Sequence, residues 1–162
     1  MNMNEESYEV TVRTEAPLAA VWDELCTLDR LLGHVPAISS VELDADGLTG
    51  SFTFALSRLG RVWKRLETRA VVTEVTPPRR LQWTLQTPSL EWEFVGTFEL
   101  APVGTDETTL VYRGTMCFSD RYAGPLQPIH AEVLEEHLDT LAKRIAGRAA
   151  RHTLAERTLG EA

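Results

Sequence analysis

The sequence is poor in cysteine, and this limits how the fold can be held together. Only two cysteines, Cys26 and Cys117, occur in 162 residues, too few for the disulfide frameworks of small secreted proteins. A chain of this length can bury about 70% of its unfolded surface and needs no such cross-links. We therefore expect one domain over residues 1–162, with a core over about 8–150, a C-terminal tail over about 153–162, and two thiols packed as small apolar side chains.

Positive charge is also in deficit. The chain has 16 lysines and arginines against 24 aspartates and glutamates, and its formal net charge is −8 at pH 7. Non-specific binding of nucleic acid needs a basic surface, and attraction to anionic lipid needs clustered positive charge. The composition therefore argues against nucleic acid as a partner and against docking on a membrane by charge alone.

Long apolar runs are missing from the sequence. No stretch approaches the roughly 20 apolar residues that a membrane-spanning helix needs. The opening segment, MNMNEESYEV, has no basic part followed by an apolar part, so it does not resemble a secretory signal. We expect a cytoplasmic protein without stable membrane insertion.

The motifs of common nucleophilic and nucleotide-dependent enzymes are absent as well. The sequence contains neither a Gly-x-Ser-x-Gly motif nor a glycine-rich phosphate loop, and its strands and helices do not alternate as in a dinucleotide-binding fold. His130 and His137 lie too far apart along a helix for the usual zinc-ligand spacing. The sequence therefore predicts no metal and no cofactor.

The amino-terminal part predicts one strand followed by two short helices. Residues 8–14, YEVTVRT, alternate apolar with polar side chains, as in a half-buried strand. Pro17 suits a first helical turn, and apolar residues then recur at helical spacing. We expect a break near Asp29, and Pro36 ends the second helix.

From Ile38 the apolar period changes to two, which predicts six strands in succession. Asp46 and Gly47 mark a hairpin between the first two. Pro77 and Pro78 fix the backbone and lack amide donors, so they end the long strand before them. Large apolar side chains fall on one face of the later strands, which indicates an antiparallel meander with one buried face.

The carboxy-terminal part predicts a long amphipathic helix, about 28 residues or about 40 Å at 1.5 Å per residue, with Pro128 near its start. Its apolar stripe recurs at helical spacing and consists of Ile129, Val133, Leu134, Leu138, Leu141 and Ile145. One helix cannot cover a sheet of this width. A curved sheet around it therefore leaves an apolar space between the two.

These segments resemble the START-like (SRPBCC) helix-grip superfamily, which includes polyketide cyclases and lipid-transfer domains. The likeness is carried by APLAAVWDELCTLDRLLGHVP, VTEVTPPRRLQW, WEFVGTFELAPVGTDETTLVYRGTM and the final helix. It implies an α+β fold, in which a strongly curved antiparallel sheet of about seven strands surrounds a long C-terminal helix and two short helices follow the first strand. Because this fold hosts many activities, it does not fix a function.

Within the superfamily, DRLLGHVPAISSVEL and LTGSFTFALSRLGRVWKRLETRA are most similar to the branch that is associated with carbon-monoxide dehydrogenase. That branch usually has Pro-Gly at the position of Pro36-Ala37, and it often carries a membrane-seeking extension that is missing here, so membrane anchoring is not expected.

Architecture and resemblance together favour binding of a small hydrophobic molecule in the apolar space. The alternatives are a cofactor-independent polyketide cyclase or aromatase of secondary metabolism, and an accessory protein of a larger redox enzyme of the carbon-monoxide-dehydrogenase type. A homodimer is a further partner hypothesis.

Four polar residues are the candidates for catalysis if the chain is an enzyme: Lys64, Tyr112, His130 and His34, in that order. Lys64 shares the alternation of Leu66, so it faces either an acidic or enolate-forming ligand or the solvent at the rim. The phenol of Tyr112 either orients a ligand carbonyl or bonds within the core. Histidine titrates near neutrality, which suits proton transfer at a cavity wall or mouth.

Apolar side chains on the inner faces are expected to contact the ligand, together with a few polar ones. The predicted ligand-binding residues are Phe52, Phe54, Leu66, Trp83, Trp92, Phe94, Phe98, Tyr112, Met116, Leu134, His137 and Leu141. The aromatic members equally suit core packing. In a fold with an internal cavity the two interpretations coincide.

Overall fold

The computed structural model describes the backbone of residues 3–58 and 61–160 and the side chains of residues 4–56, 64–120 and 129–160. The strands are β1 (Met3–Thr14), β2 (Ile38–Leu43), β3 (Thr49–Arg58), β4 (Arg61–Thr76), β5 (Arg80–Thr87), β6 (Trp92–Pro102) and β7 (Thr108–Ser119). The α-helices are α1 (Leu18–Leu25), α2 (Leu28–Leu32) and α3 (Asp120–Gly160), and a 3-10 turn covers Pro88–Leu90. The predicted order of elements is confirmed.

The strands form one antiparallel sheet in the order β1-β7-β6-β5-β4-β3-β2. Strands β2 to β7 follow each other as the predicted meander, and β1 closes the order by pairing with β7. Register shifts interrupt the pairing of β2 with β3, of β3 with β4 and of β4 with β5. Such irregularities bend strands, and they give this half of the sheet the curvature of the helix-grip fold.

Strand β1 begins at Met3, earlier than the predicted start at Tyr8. The polar residues at its start do not alternate as in a half-buried strand, but they pair with the end of β7, and Met3 lies opposite Ser119. Pairing along a neighbouring strand overrides the local pattern here.

The break between α1 and α2 lies at Cys26 and Thr27 rather than near Asp29. The hydroxyl of Thr27 accepts a hydrogen bond from the amide of Arg30 at 3.2 Å and so caps α2. Pro17 is the residue just before α1. The two helices pack their buried leucines under one end of the sheet.

Helix α3 crosses the inner face of the sheet with the predicted stripe buried, including Leu134, Leu138, Leu141 and Ile145. It is longer than predicted, with 41 residues. It begins at Asp120, before Pro128, and it continues to Gly160 through residues rich in good helix formers. No helix in the described ranges is long and apolar enough to cross a membrane.

Candidate functional site

An apolar cavity of about 80 Å³ lies between the inner face of the sheet and helix α3. Strands β3 to β7, α3 and the residue after His34 contribute its wall. The described lining residues are Val35, Phe52, Phe54, Thr68, Leu85, Thr87, Trp92, Phe94, Met116, Val133, Leu134 and His137. None of them carries an acidic group, a lysine or an arginine.

The partly exposed lining residues indicate where the cavity opens. Val35, Phe54, Leu85, Val133 and His137 are each partly accessible to solvent, whereas the aromatic side chain of Trp92 is buried. The mouth therefore lies between strand β3, the segment after α2 and helix α3. Movement of α3 or of this segment would widen the cavity.

A hydrogen-bonded chain of Trp83, Tyr112 and His137 links the core to the cavity, which it reaches through His137. Nε1 of Trp83 donates to the phenol oxygen of Tyr112 at 2.9 Å, and that oxygen lies 2.9 Å from Nε2 of His137. Because an indole N–H only donates, the phenol accepts from Trp83. The direction of its hydrogen bond with Nε2 depends on the tautomer of His137.

Burial keeps this chain uncharged near neutral pH. Desolvation lowers the pKa of His137 to about 4 and raises the pKa of Tyr112 well above its ordinary value. Trp83 and Tyr112 have no accessible surface. The arrangement therefore supplies oriented dipoles rather than a charge.

Aromatic stacking and two glycines hold Tyr112 in place. The ring of Phe98 stacks on that of Tyr112 with a centroid distance of 3.9 Å and an interplanar angle of 10°. Gly96 lies opposite Gly114 on the neighbouring strand. A Cβ on Gly96 would come within 2.8 Å of the ring of Tyr112, and one on Gly114 within 2.6 Å of the ring of Phe94. The glycines give these rings room to lie against the sheet.

A pair of threonines forms a second polar point in the wall. The hydroxyl oxygens of Thr68 on β4 and Thr87 at the end of β5 lie 2.9 Å apart, and both residues are buried. One hydroxyl donates to the other, so one further proton is available to a neighbouring acceptor. Among the described lining residues, the threonine pair and His137 carry the hydroxyl and imidazole groups, and most of the others are apolar.

The candidate His130 lies behind the wall and does not line the cavity. Nε1 of Trp92 donates to Nε2 of His130 at 2.8 Å. The ring of Phe118 packs against the imidazole with a centroid distance of 3.9 Å. Burial lowers the pKa of His130 to about 4. This neutral ring fixes the orientation of Trp92, which does line the cavity.

The candidate His34 belongs to a separate buried cluster under α3. Its Nε2 lies 3.1 Å from both the carbonyl oxygen and a carboxylate oxygen of Glu24, and Nδ1 of His152 lies 3.0 Å from the other carboxylate oxygen. Burial lowers the pKa of His34, although the charge of Glu24 acts in the opposite direction. His34 therefore fixes the segment that carries Val35 to the mouth of the cavity.

The candidate Lys64 shares the face of Leu66 by alternation but is exposed and does not line the cavity. It lies in an open groove of about 780 Å³ that shares Phe52 and Thr68 with the cavity. The pairing of β3 with β4 shifts register next to Lys64. This irregularity ends the regular inner face at that point.

Seven of the predicted ligand-binding residues line the cavity: Phe52, Phe54, Trp92, Phe94, Met116, Leu134 and His137. The other five, Leu66, Trp83, Phe98, Tyr112 and Leu141, are buried in the surrounding core and are not lining residues. The prediction missed Val35, Thr68, Leu85, Thr87 and Val133. The alternation of Thr68 with Leu66 was a usable signal, but the approach of Thr87 depends on strand register. Among the described side chains no cluster is arranged to hold a metal ion.

The profile of one protein family, described as polyketide cyclase / dehydrase and lipid transport, matches residues 5–152. The chain belongs to this family. Membership in the polyketide cyclase / dehydrase and lipid transport family confirms the START-like resemblance and its helix-grip fold. Among curated proteins, no sequence matches the chain.

Solved structures share the fold of this family member. A conserved protein from Geobacillus kaustophilus is similar with a TM-score of 0.73 at 17% identity, over 90% of this chain and 96% of that chain. Norcoclaurine synthase from Thalictrum flavum is similar with a TM-score of 0.69 at 12% identity, over 94% of this chain and 98% of that chain. The Zhui aromatase/cyclase from Streptomyces sp. R1128 is similar with a TM-score of 0.62 at 18% identity, over 93% of this chain and 94% of that chain. At these identities the likeness concerns the fold.

Proposed function

We propose that the protein binds a small hydrophobic molecule in the cavity under α3. The observation that carries the proposal is the cavity itself, an internal space with an apolar lining and two polar points. Sites of this character, mostly apolar with a few oriented polar groups, are typical of small-molecule binding. The family description, which includes lipid transport, agrees with this function.

The size of the cavity limits the ligand. Its volume of about 80 Å³ is below the roughly 300–1,000 Å³ of ordinary ligand sites, and an engineered cavity of about 150 Å³ in another protein holds benzene. This conformation therefore suits a ligand part smaller than benzene, and a whole one-ring molecule enters only when α3 or the segment after α2 moves. A larger molecule needs a wider mouth.

The test is a titration with α-methylstyrene, a one-ring apolar probe. Binding is monitored through the methyl signal of Met116 in NMR spectra. In the Val133→Phe variant the larger side chain fills the space at the mouth, so the affinity falls at least about tenfold, since lost burial of a few methylene equivalents weakens binding by this amount. Val111→Phe is the matched control, because Val111 is also half-buried but lies on the outer face of β7. Equal affinities in the two variants, or no binding to the wild type, would overturn the proposal.

A polyketide cyclase function is the second candidate, and the position of His137 in the wall favours it. An oriented N–H can polarise a ligand carbonyl. Acid–base catalysis works best with a pKa near the operating pH, whereas burial moves the pKa values of His137 and Tyr112 away from neutrality. Binding is therefore preferred. Cyclised product from a reactive polyketide chain incubated with the wild type, and none with Val133→Phe, would reverse this preference.

Protein partners are a third hypothesis. A homodimer, association with a larger redox enzyme and a cytoplasmic location stay predictions. Native mass spectrometry of the protein from its own host gives the oligomeric mass, and co-purification of a redox enzyme would support the accessory role.

A further inference from the structure

We propose that the ligand is uncharged and carries a hydrogen-bond acceptor, such as a ketone oxygen, that binds Nδ1–H of His137. This inference rests on the proposed function and names the chemical class of its ligand.

The hydrogen-bonded chain decides which nitrogen of His137 is protonated. Trp83 donates to the phenol oxygen of Tyr112, so the phenol proton needs its own acceptor in a region without solvent. Nε2 of His137, 2.9 Å away, is the acceptor that the described residues provide. The proton of the neutral imidazole therefore lies on Nδ1.

Nδ1–H of His137 is left as a donor at the cavity. His137 lines the cavity and is partly accessible to solvent, and its hydrogen bond to Tyr112 uses Nε2, so Nδ1 remains for a partner in the cavity. Phe94 packs edge-on against the imidazole with a centroid distance of 5.0 Å, and its ring carries no acceptor atom. A ligand with an acceptor at this point bonds to the donor, whereas a ligand without one removes water from it and leaves it unpaired, which is unfavourable.

An anionic group is disfavoured at the same point, because the described lining residues provide no positive charge. None of the described lining residues is a lysine or an arginine, and burial keeps His137 neutral near pH 7. A carboxylate placed there would lose its hydration without gaining a counter-charge. The alternative hypothesis is an acidic ligand whose carboxylate binds exposed Lys64 in the adjoining groove.

Three one-ring probes separate these arrangements. Acetophenone carries the acceptor, α-methylstyrene replaces its oxygen by CH2 at nearly the same shape, and benzoate carries a charge. The two neutral probes differ in their solubility in water, so the measured quantity is the ratio of their affinities in the wild type and in His137→Leu. Removal of the donor lowers the ratio of the acetophenone affinity to the α-methylstyrene affinity by about five- to tenfold, the usual range for one neutral hydrogen bond.

An independent measurement needs no variant at this position. Long-range ¹H–¹⁵N spectra of the wild type show which imidazole nitrogen carries the proton. We expect a protonated Nδ1 in His137 whose signal shifts with acetophenone and stays in place with α-methylstyrene. A proton on Nε2, or equal shifts with both probes, would overturn the inference even if His137→Leu does not fold.

The outcomes also distinguish this inference from the proposed function. If both neutral probes bind and their ratio is unchanged in His137→Leu, the ligand function stands and the role of Nδ1–H fails. If neither binds the wild type, both fail. Benzoate that binds more tightly than acetophenone and loses its affinity in Lys64→Met would place an anionic group in the groove and contradict the uncharged ligand. Lys64→Met leaves the affinities of the neutral probes unchanged.

Discussion

The phenol oxygen of Tyr112 on β7 lies 2.9 Å from Nε2 of His137 on α3, and this contact joins the sheet to the helix beside the cavity. The phenol also accepts from Trp83, so one side chain satisfies two partners. A buried group of this kind contributes to stability and to the orientation of the cavity wall.

The contact predicts the effect of Tyr112→Phe. The free energy of unfolding falls by about 1–3 kcal/mol, because the indole N–H of Trp83 and Nε2 of His137 lose their partner while still buried. Urea denaturation measures the change. Tyr8→Phe is the matched control: Tyr8 is half-exposed, with its pKa raised chiefly by the charge of Asp139, and its removal changes stability by less than about 0.5 kcal/mol. Equal small effects would contradict the role assigned to Tyr112.

Gly96→Ala is expected to destabilise the protein by about 1–3 kcal/mol, since the added Cβ forces the packed rings aside. It would meet Phe94, Trp83 and Tyr112 at 2.7–2.8 Å. Gly147→Ala gives the opposite sign, a gain of about 0.5–1 kcal/mol, because alanine favours the helix and the new Cβ meets only the flexible end of Arg151 at 3.3 Å. Thermal unfolding of both variants tests the contrast.

Acid is expected to destabilise the fold through His130 and His137. Burial lowers both pKa values to about 4, whereas an unfolded histidine titrates near 6.5. Below about pH 6.5 the unfolded chain therefore takes up protons that the folded chain refuses, and stability falls as the pH drops towards 4.

The matched variant for the pH dependence is His130→Gln. Its amide oxygen still accepts from Trp92 but does not titrate, so the slope of unfolding free energy against pH between about 6 and 4.5 decreases by about 1 kcal/mol per pH unit, somewhat less than the limit for one whole proton. Urea midpoints at several pH values give the slope. An unchanged slope would show that His130 takes no part in the acid response.

The pair of Thr68 and Thr87 predicts a non-additive cycle. Each single change to valine leaves the other hydroxyl buried without its 2.9 Å partner and costs about 1–2 kcal/mol. The double variant removes both polar groups at similar shape, so it is more stable than the sum of the single effects predicts. Unfolding free energies of the four proteins complete the test, and additive effects would contradict it.

The fold follows from the sequence wherever alternation along one strand decides burial. Trp92, Phe98 and Tyr112 share the buried face because every second side chain of a strand points the same way. The resemblance supplied the packing of the long helix inside the curved sheet. These two signals suffice for the architecture and for much of the apolar lining.

The site depends on relations between elements, which alternation does not determine. The contact of Tyr112 with His137 needs the rotation of α3 about its axis, and that of Thr68 with Thr87 needs the register of β4 and β5. The exposure of Lys64 follows from a register shift in the neighbouring strand pair. Long-range packing likewise places His34 against Glu24, ten residues before it in the sequence.

Near Ala146 and His152, helix α3 is bonded to β1 and α1, and near Val133 it covers the cavity. Thr14 donates to the carbonyl oxygen of Ala146, and Glu24 binds His152, whereas Val133 lies over the cavity about 20 Å away at 1.5 Å per residue. Beside Val133 the helix is also bonded to the sheet, through His130 and Trp92 and through His137 and Tyr112. A tilt of α3 by about 10° around its far end would move Val133 by about 3 Å and would break these two hydrogen bonds, so room for a larger ligand comes at the cost of the contacts that orient the cavity wall.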